Sequence, residues 1–208
     1  FWQVEDVQLY PAPVQDPHPP IYMAAVSPPS YKLAAEHGLS ILRGPRFTSM
    51  ELVKSQFAEY SKYMNEAGRD PMGIDQPLLM QTFVAESDGD AKNIAEKHAM
   101  WYHELLQSVL PGAPGKKIYK GYEIYDTVRQ KHAKVTYDQL ADWGSAFGTP
   151  EHVAERIITY AQEAQTNHWM AEMKFGGMNH EDTMRSMRLF AQEVIPRVND
   201  RLGKDAAA

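Results

Sequence analysis

The feature that most constrains the fold is a fourfold alternation of short apolar runs with helix-like segments. The runs are Ile21–Val26, Leu39–Arg43, Gln76–Ala85 and His168–Phe175. A continuous apolar run such as IYMAAV, which has no polar alternation, is typical of a strand buried on both faces. Strands that alternate with helices are joined by right-handed crossovers into a parallel sheet. The sequence therefore predicts an α/β protein.

Capping residues mark the helices between these runs. Ser27-Pro28 puts a hydroxyl at the N-cap and a proline at the first helical position, and Gly38 is suited to end this helix. Thr48 or Ser49 begins a helix whose apolar stripe is Val53, Phe57, Tyr60 and Met64. A long helix is predicted from Asp88 to about Leu110, and its stripe, Ile94, Trp101, Leu105 and Val109, is expected in the core. Further helices follow Thr149 and Asn179.

Two stretches carry no regular pattern. Residues 1–20 hold five of the 14 prolines and are predicted to be extended surface chain. Residues 111–136 carry two acidic side chains and six basic ones, namely Lys116, Lys117, Lys120, Arg129, Lys131 and Lys134. This basic stretch is either a solvated loop or a lid, because it lies in the long connection between the third and fourth strands.

Composition excludes several classes of function. The net charge of −6 argues against general nucleic-acid binding, which depends on basic surface. The sequence has no cysteine, so disulfides, iron–sulfur clusters and thiolate zinc sites are excluded. Its eight histidines show no metal-binding spacing; His98 and His103, five apart, do not share a helical face. No apolar run approaches the roughly 18–20 residues of a membrane span.

The segment Ser27-Pro28-Pro29-Ser30 is the best candidate for a ligand site. It places a helix N-terminus at the carboxyl end of a buried strand, where α/β proteins bind ligands and where a phosphate is favoured. The prolines have no N–H, so the expected free donors are the amides of Ser30 and Tyr31 and the two serine hydroxyls. The alternative is that Ser27 is only an N-cap. Gly176-Gly177 after the fourth strand is either a ligand approach or, more simply, a turn.

Length separates two architectures. Four parallel strands form either an open doubly wound sheet or half of a (β/α)8 barrel, and a complete barrel needs roughly 250 residues, more than the 208 present. The chain starts Phe1-Trp2-Gln3 without an initiator Met, so we expect a piece of a longer protein or a processed one.

Both ends of the sequence resemble the bacterial luciferase-like flavin monooxygenases. The resemblance is carried by YPAPVQDPHPPI and AAVSPPSYKLAAEHG near the start, and by GTPEHVAERI and FGGMNHEDTMRSMRLFAQEVIPRV near the end. It implies that residues 1–203 form the C-terminal half, strands 5–8, of a TIM-like (β/α)8 barrel. An insertion or lid at about 107–147 would follow strand 7, and residues 204–208 would be a frayed tail.

The same resemblance implies a function. It points to a cytoplasmic monooxygenase that takes reduced FMN from a flavin reductase and reacts it with O2 to a flavin peroxide, which oxygenates a small organic substrate. Ser27 and Ser30 match the positions that hold the flavin phosphate in relatives, with Tyr31 beside them; Pro29 departs from the usual pattern. Catalytic side chains lie on earlier strands in the family, so none is assigned. A homodimer or heterodimer is expected.

Two other functions remain open at this point. An F420-dependent hydride-transfer enzyme would share the fold, and its cofactor also carries a phosphate. A non-catalytic partner subunit, similar to the luciferase β subunit, would support an active paralogue.

Overall fold

The structure, a computed structural model, describes residues 3–8, 10–44, 49–120, 123, 126, 129, 130 and 134–203. The strands are Tyr22–Ala24 (β1), Ser40–Leu42 (β2), Pro77–Val84 (β3), Ser145–Gly148 (β4) and His168–Glu172 (β5). The helices are Pro28–His37 (α1), Met50–Glu66 (α2), Asp88–Val109 (α3), Tyr137–Gly144 (α4), Pro150–Glu163 (α5), His180–Leu189 (α6) and Ile195–Leu202 (α7). A π-helical segment, Phe190–Val194, joins α6 to α7.

All strand pairs in the described residues are parallel, which confirms the predicted α/β class. β1 pairs with β2 in register Tyr22↔Ser40, and β3 lies between β4 and β5. A parallel bridge between Arg43 and Leu78 connects β2 to β3. The carboxyl ends of the strands therefore point the same way, and the loops that follow them share one edge of the sheets.

Helices cover the two faces of β3 differently. Side chains alternate along a strand, so Leu78, Met80 and Val84 share one face, here called the Leu78 face. They pack with α5 and with Val53 of α2. Gln81 and Phe83 lie on the opposite face, here called the Gln81 face. Its carboxyl-terminal part is covered by α3 and α4, as Phe83 packs with Ala91, Ala95, Ala99 and Tyr137.

A polar cluster ties three strands together across the Gln81 face. The Tyr22 hydroxyl donates to Asp75 Oδ2 at 2.5 Å, although β2 lies between β1 and β3. The same oxygen is 3.2 Å from His168 Nδ1 at the start of β5. Contacts that skip a neighbouring strand are favoured when the sheet curves towards the face that carries them, as it does in a barrel. The half-barrel arrangement itself stays a prediction.

The stripe predicted for α2 is confirmed, but that for α3 is wrong. Val53, Phe57, Tyr60 and Met64 are all buried. In α3, Trp101, Leu105 and Val109 are 53%, 44% and 58% exposed, and the helix buries Ala91, Ala95, Ala99 and His103 instead. Small alanine side chains let a helix backbone approach a neighbouring element closely, and this approach selected the buried face against simple hydrophobicity.

The sequence reasoning missed one helix and one strand. α4 begins with a capping box, in which Thr136 Oγ1 accepts from the Gln139 amide and the Gln139 side chain accepts from the Thr136 amide. The Thr-x-x-Gln pattern could have revealed it. β4 is a four-residue buried strand, SAFG, which is too short to show a periodic pattern. It pairs with the carboxyl-terminal part of β3, Gln81 to Val84.

The other expectations for irregular chain are partly testable. Residues 3–8 and 10–20 contain no helix or strand and are exposed, as predicted. Lys116, Lys117, Lys120 and Lys134 are exposed, whereas Arg129 pairs with Asp126 at 2.8 Å. Lys131, Thr48 and the tail 204–208 lie outside the described residues. The insertion at 107–147 stays a prediction as a lid.

Candidate functional site

The predicted ligand site lies where β1 leads into α1. Ser27 is the N-cap of α1, with extended backbone angles of φ −143° and ψ 152°, but its side chain accepts no hydrogen bond from the helix amides. Instead its Oγ lies 2.9 Å from Oγ of Ser30. The interpretation of Ser27 as a simple capping side chain is therefore not what the structure shows. The two hydroxyls form a pair at the end of the helix.

The amides of this turn are fewer than the sequence suggested. Pro28 and Pro29 occupy the first two helical positions and have no N–H. The Tyr31 amide donates to the Ser27 carbonyl at 3.0 Å, so the prediction that it is a free donor is wrong. Its position, four residues after the N-cap, makes this the first bond of the helix. Helix geometry leaves the Ser30 amide as the donor of this turn without an intrahelical acceptor.

Packing beneath the turn fixes the hydroxyl pair while leaving it accessible. The Tyr31 ring is 2% exposed and packs with Ala34, Ala35 and Ile41. Burial raises the pKa of Tyr31, so its phenol stays neutral. Ser27 and Ser30 are half-buried, and the two prolines between them are exposed. The end of α1 is therefore anchored by its buried face and open at its polar end.

These residues fit a phosphate group. Two hydroxyls and one backbone N–H can each donate to a phosphate oxygen, and the positive end of the α1 dipole faces the same place. The proline pair removes two amides that a phosphate-binding helix could otherwise offer. The hydroxyls must then supply more of the binding than they would at an ordinary helix N-terminus.

The Gly176-Gly177 turn has a structural explanation. Gly176 has φ +57°, and a Cβ there would lie 1.9 Å from the carbonyl oxygen of His98 in α3. His98 Nδ1 is 2.7 Å from the Gly176 carbonyl oxygen. Gly177 has φ +72° with nothing within 4 Å of its Cβ position. The first glycine therefore permits α3 to pack on the end of β5, which supports the turn rather than the ligand interpretation.

Two other possible kinds of site were examined by geometry. No group of three His, Cys, Asp or Glu side chains in the described ranges is arranged to hold a metal ion. Within those ranges, no helix has both the length and the apolar character needed to cross a bilayer.

Sequence reasoning missed a polar residue inside β3. Gln81 is 7% exposed, and its Nε2 has no hydrogen-bond partner among the described residues. It lines a cleft between β3, α3 and α4, together with Tyr102, Trp143 and Ser145. The signal was available, because a glutamine interrupts the otherwise apolar run LLMQTFVA.

The family model of the luciferase-like monooxygenases matches residues 1–167. This chain belongs to the luciferase-like monooxygenase family. It is 24% identical over 204 residues to the alkanal monooxygenase alpha chain of Photorhabdus luminescens, covering 94% of this chain and 55% of that one. It is 30% identical over 106 residues to the oxygenase component of the flavin-dependent trigonelline monooxygenase of Acinetobacter baylyi, covering 50% of this chain and 28% of the relative. The chain thus spans about half, or less, of these relatives.

Solved structures of similar fold include luciferase-like enzymes with different cofactors. Monooxygenase RslO1 from Streptomyces bottropensis superposes with a TM-score of 0.67 at 23% identity, over 90% of this chain and 50% of that one. The oxygenating constituent of 3,6-diketocamphane monooxygenase of Pseudomonas putida, in complex with FMN, gives 0.64 at 18%, over 87% and 49%. An F420-dependent secondary alcohol dehydrogenase gives 0.64 at 20%, over 95% and 54%. At these identities the similarity concerns the fold.

Proposed function

We propose that this chain is the carboxyl-terminal half of a barrel enzyme that uses reduced FMN and O2 to oxygenate a small organic substrate. Ser27 and Ser30 would hold the flavin phosphate. The observation that carries the proposal is the hydroxyl pair, 2.9 Å apart and released from capping, at the end of a strand in a chain of this family. When bound, reduced FMN supplies the reaction with O2.

The role of this chain would be to bind and orient the flavin. The α1 turn would fix the phosphate, and the buried Tyr31 ring beneath it would keep the turn from moving. The basic stretch within residues 107–147 would act as the lid that excludes water from the reacting flavin. A separate reductase would deliver the reduced cofactor, and the name "oxygenase component" of the Acinetobacter relative supports a two-component system.

The test is oxygen incorporation by the purified full-length protein with a flavin reductase, FMN and NADH. Candidate substrates would be screened under isotopically labelled O2, and mass spectrometry should find one labelled oxygen atom in the product. Failure to bind reduced FMN in an anaerobic titration would refute the proposal.

The F420-dependent neighbour supports one alternative. The α1 turn does not discriminate, since F420 also carries a phosphate, so the chain would then serve hydride transfer without O2. Reduction of F420 by an alcohol under anaerobic conditions, followed by its absorbance, would favour this alternative. An FMN titration on the same preparation would separate the two.

A further inference from the structure

A second candidate site lies on the Gln81 face, away from the α1 turn. It is a cleft bounded below by Gln81 of β3 and Ser145 of β4, and on its sides by α3 and α4. The side walls are formed by Ala99, Tyr102, His103, Leu106, Leu140 and Trp143. The cleft holds about 340 Å³ counting its open mouth, which is near the lower end for small-ligand sites of about 300–1,000 Å³.

The amide of Gln81 is the unusual feature of this cleft. A buried donor without a partner carries a desolvation cost, and native proteins almost always satisfy such groups. Gln81 Nε2 is completely buried and lacks a hydrogen bond within the described residues. Other polar groups of β3 do have partners: Thr82 Oγ1 donates to the Met80 carbonyl at 3.1 Å, and the Val84 amide donates to Ser186 Oγ at 2.7 Å.

The walls indicate which molecules would fit. Two aromatic side chains, Tyr102 and Trp143, face the cleft together with aliphatic ones, and its described lining includes no Lys, Arg, Asp or Glu. An apolar pocket with one well-placed donor binds an apolar body and orients it by a single acceptor atom. A charged ligand would lose its hydration there without a counter-ion.

We infer that this cleft is the substrate subsite, and that Gln81 Nε2 donates to the acceptor oxygen of an uncharged, apolar substrate that carries a carbonyl group. This inference rests on the proposed oxygenase function, for which it names the substrate class. Gln81 is then a specificity-determining residue. The cleft opens at the carboxyl-terminal half of β3, where enzymes of this fold class place their reactive ends.

A water molecule is the competing occupant. The enclosed part of the cleft is about 20 Å³, which is enough for one water. A water bound to Gln81 alone would not make the cleft choose between ligands of equal shape. A carbonyl-recognising site would choose, because a ligand without an acceptor leaves the buried donor unpaired.

The experiment compares two probes of nearly the same shape, acetophenone and α-methylstyrene, in which a C=CH2 group replaces the C=O group. Ligand-observed NMR titrations would be run on the full-length protein without flavin. The variants are Gln81→Met, which keeps the length of the side chain and removes the donor, and Trp143→Leu, which changes a wall. Gln56→Met on α2, away from the cleft lining, is the matched control.

We expect the wild-type protein to bind acetophenone at least about 5-fold more tightly than α-methylstyrene. Gln81→Met should reduce this preference to within about 2-fold, and Trp143→Leu should weaken both probes while keeping it. Gln56→Met should behave as wild type. Equal binding of the probes to the wild-type protein, or no binding of either, overturns the inference even if a variant fails to fold.

Affinity for reduced FMN, measured on the same variants, keeps the two proposals apart. Gln81→Met should leave it unchanged. Loss of the probe preference with normal FMN binding supports the substrate subsite, whereas absence of FMN binding by the wild-type protein would refute the proposed function alone.

Discussion

Removing both hydroxyls of the α1 turn tests the phosphate site directly. The double variant Ser27→Ala/Ser30→Ala deletes the two Oγ atoms that lie 2.9 Å apart, and it leaves the backbone and the proline pair as they are. Hydrogen bonds to a charged group are lost, and only the Ser30 amide and the helix dipole remain. We expect the free energy of flavin binding to weaken by about 1–3 kcal/mol, which is about 5- to 150-fold in Kd.

The assay is an anaerobic titration with two cofactors. Reduced FMN carries the phosphate and reduced riboflavin does not, so the double variant should weaken FMN and leave riboflavin unchanged. Ser55→Ala/Ser108→Ala is a matched control, because both of these hydroxyls are exposed and donate only to local helix carbonyls. Thermal denaturation of each variant would show that the fold is retained.

Equal FMN affinities for the wild type and the double variant would remove Ser27 and Ser30 from the site. A parallel loss of FMN and riboflavin affinity would also contradict the reasoning, because it would mean that the variant distorts the flavin-ring site rather than the phosphate contacts.

Two further predictions concern stability. Gly176→Ala should lower the free energy of unfolding by about 1–3 kcal/mol, because its Cβ would collide with the His98 carbonyl, whereas Gly177→Ala, which meets only the φ strain, should cost less in the same urea denaturation series; equal losses would contradict the close-approach argument. Asp75 has its pKa lowered by the hydrogen bonds from Tyr22 and then His168, so the stability it contributes is present above the unfolded pKa of about 4 and is lost as the pH falls through the lower folded pKa. The Tm difference between wild type and Asp75→Asn should therefore be larger at pH 6 than at pH 3, and a pH-independent difference would be evidence against this linkage.

Local signals were sufficient for much of the fold and for the position of the site. The apolar runs located four of the strands, although β1 and β2 proved only three residues long. The Ser-Pro start located α1, and the predicted stripe of α2 was the one buried. These features depend on neighbours within one or two helical turns, so the residues themselves report them.

What the sequence by itself determined was therefore the α/β class, the parallel order and the hydroxyl-bearing turn after β1. The tertiary structure alone decided which surface of α3 is buried. Its alanines face the sheet because Gly176 lets the helix backbone come close, and this contact joins residues 78 positions apart. It also decided that Ser27 pairs with Ser30 rather than capping α1, and that Gln81 faces a cleft. Such contacts depend on elements distant along the chain, and no local pattern encodes them.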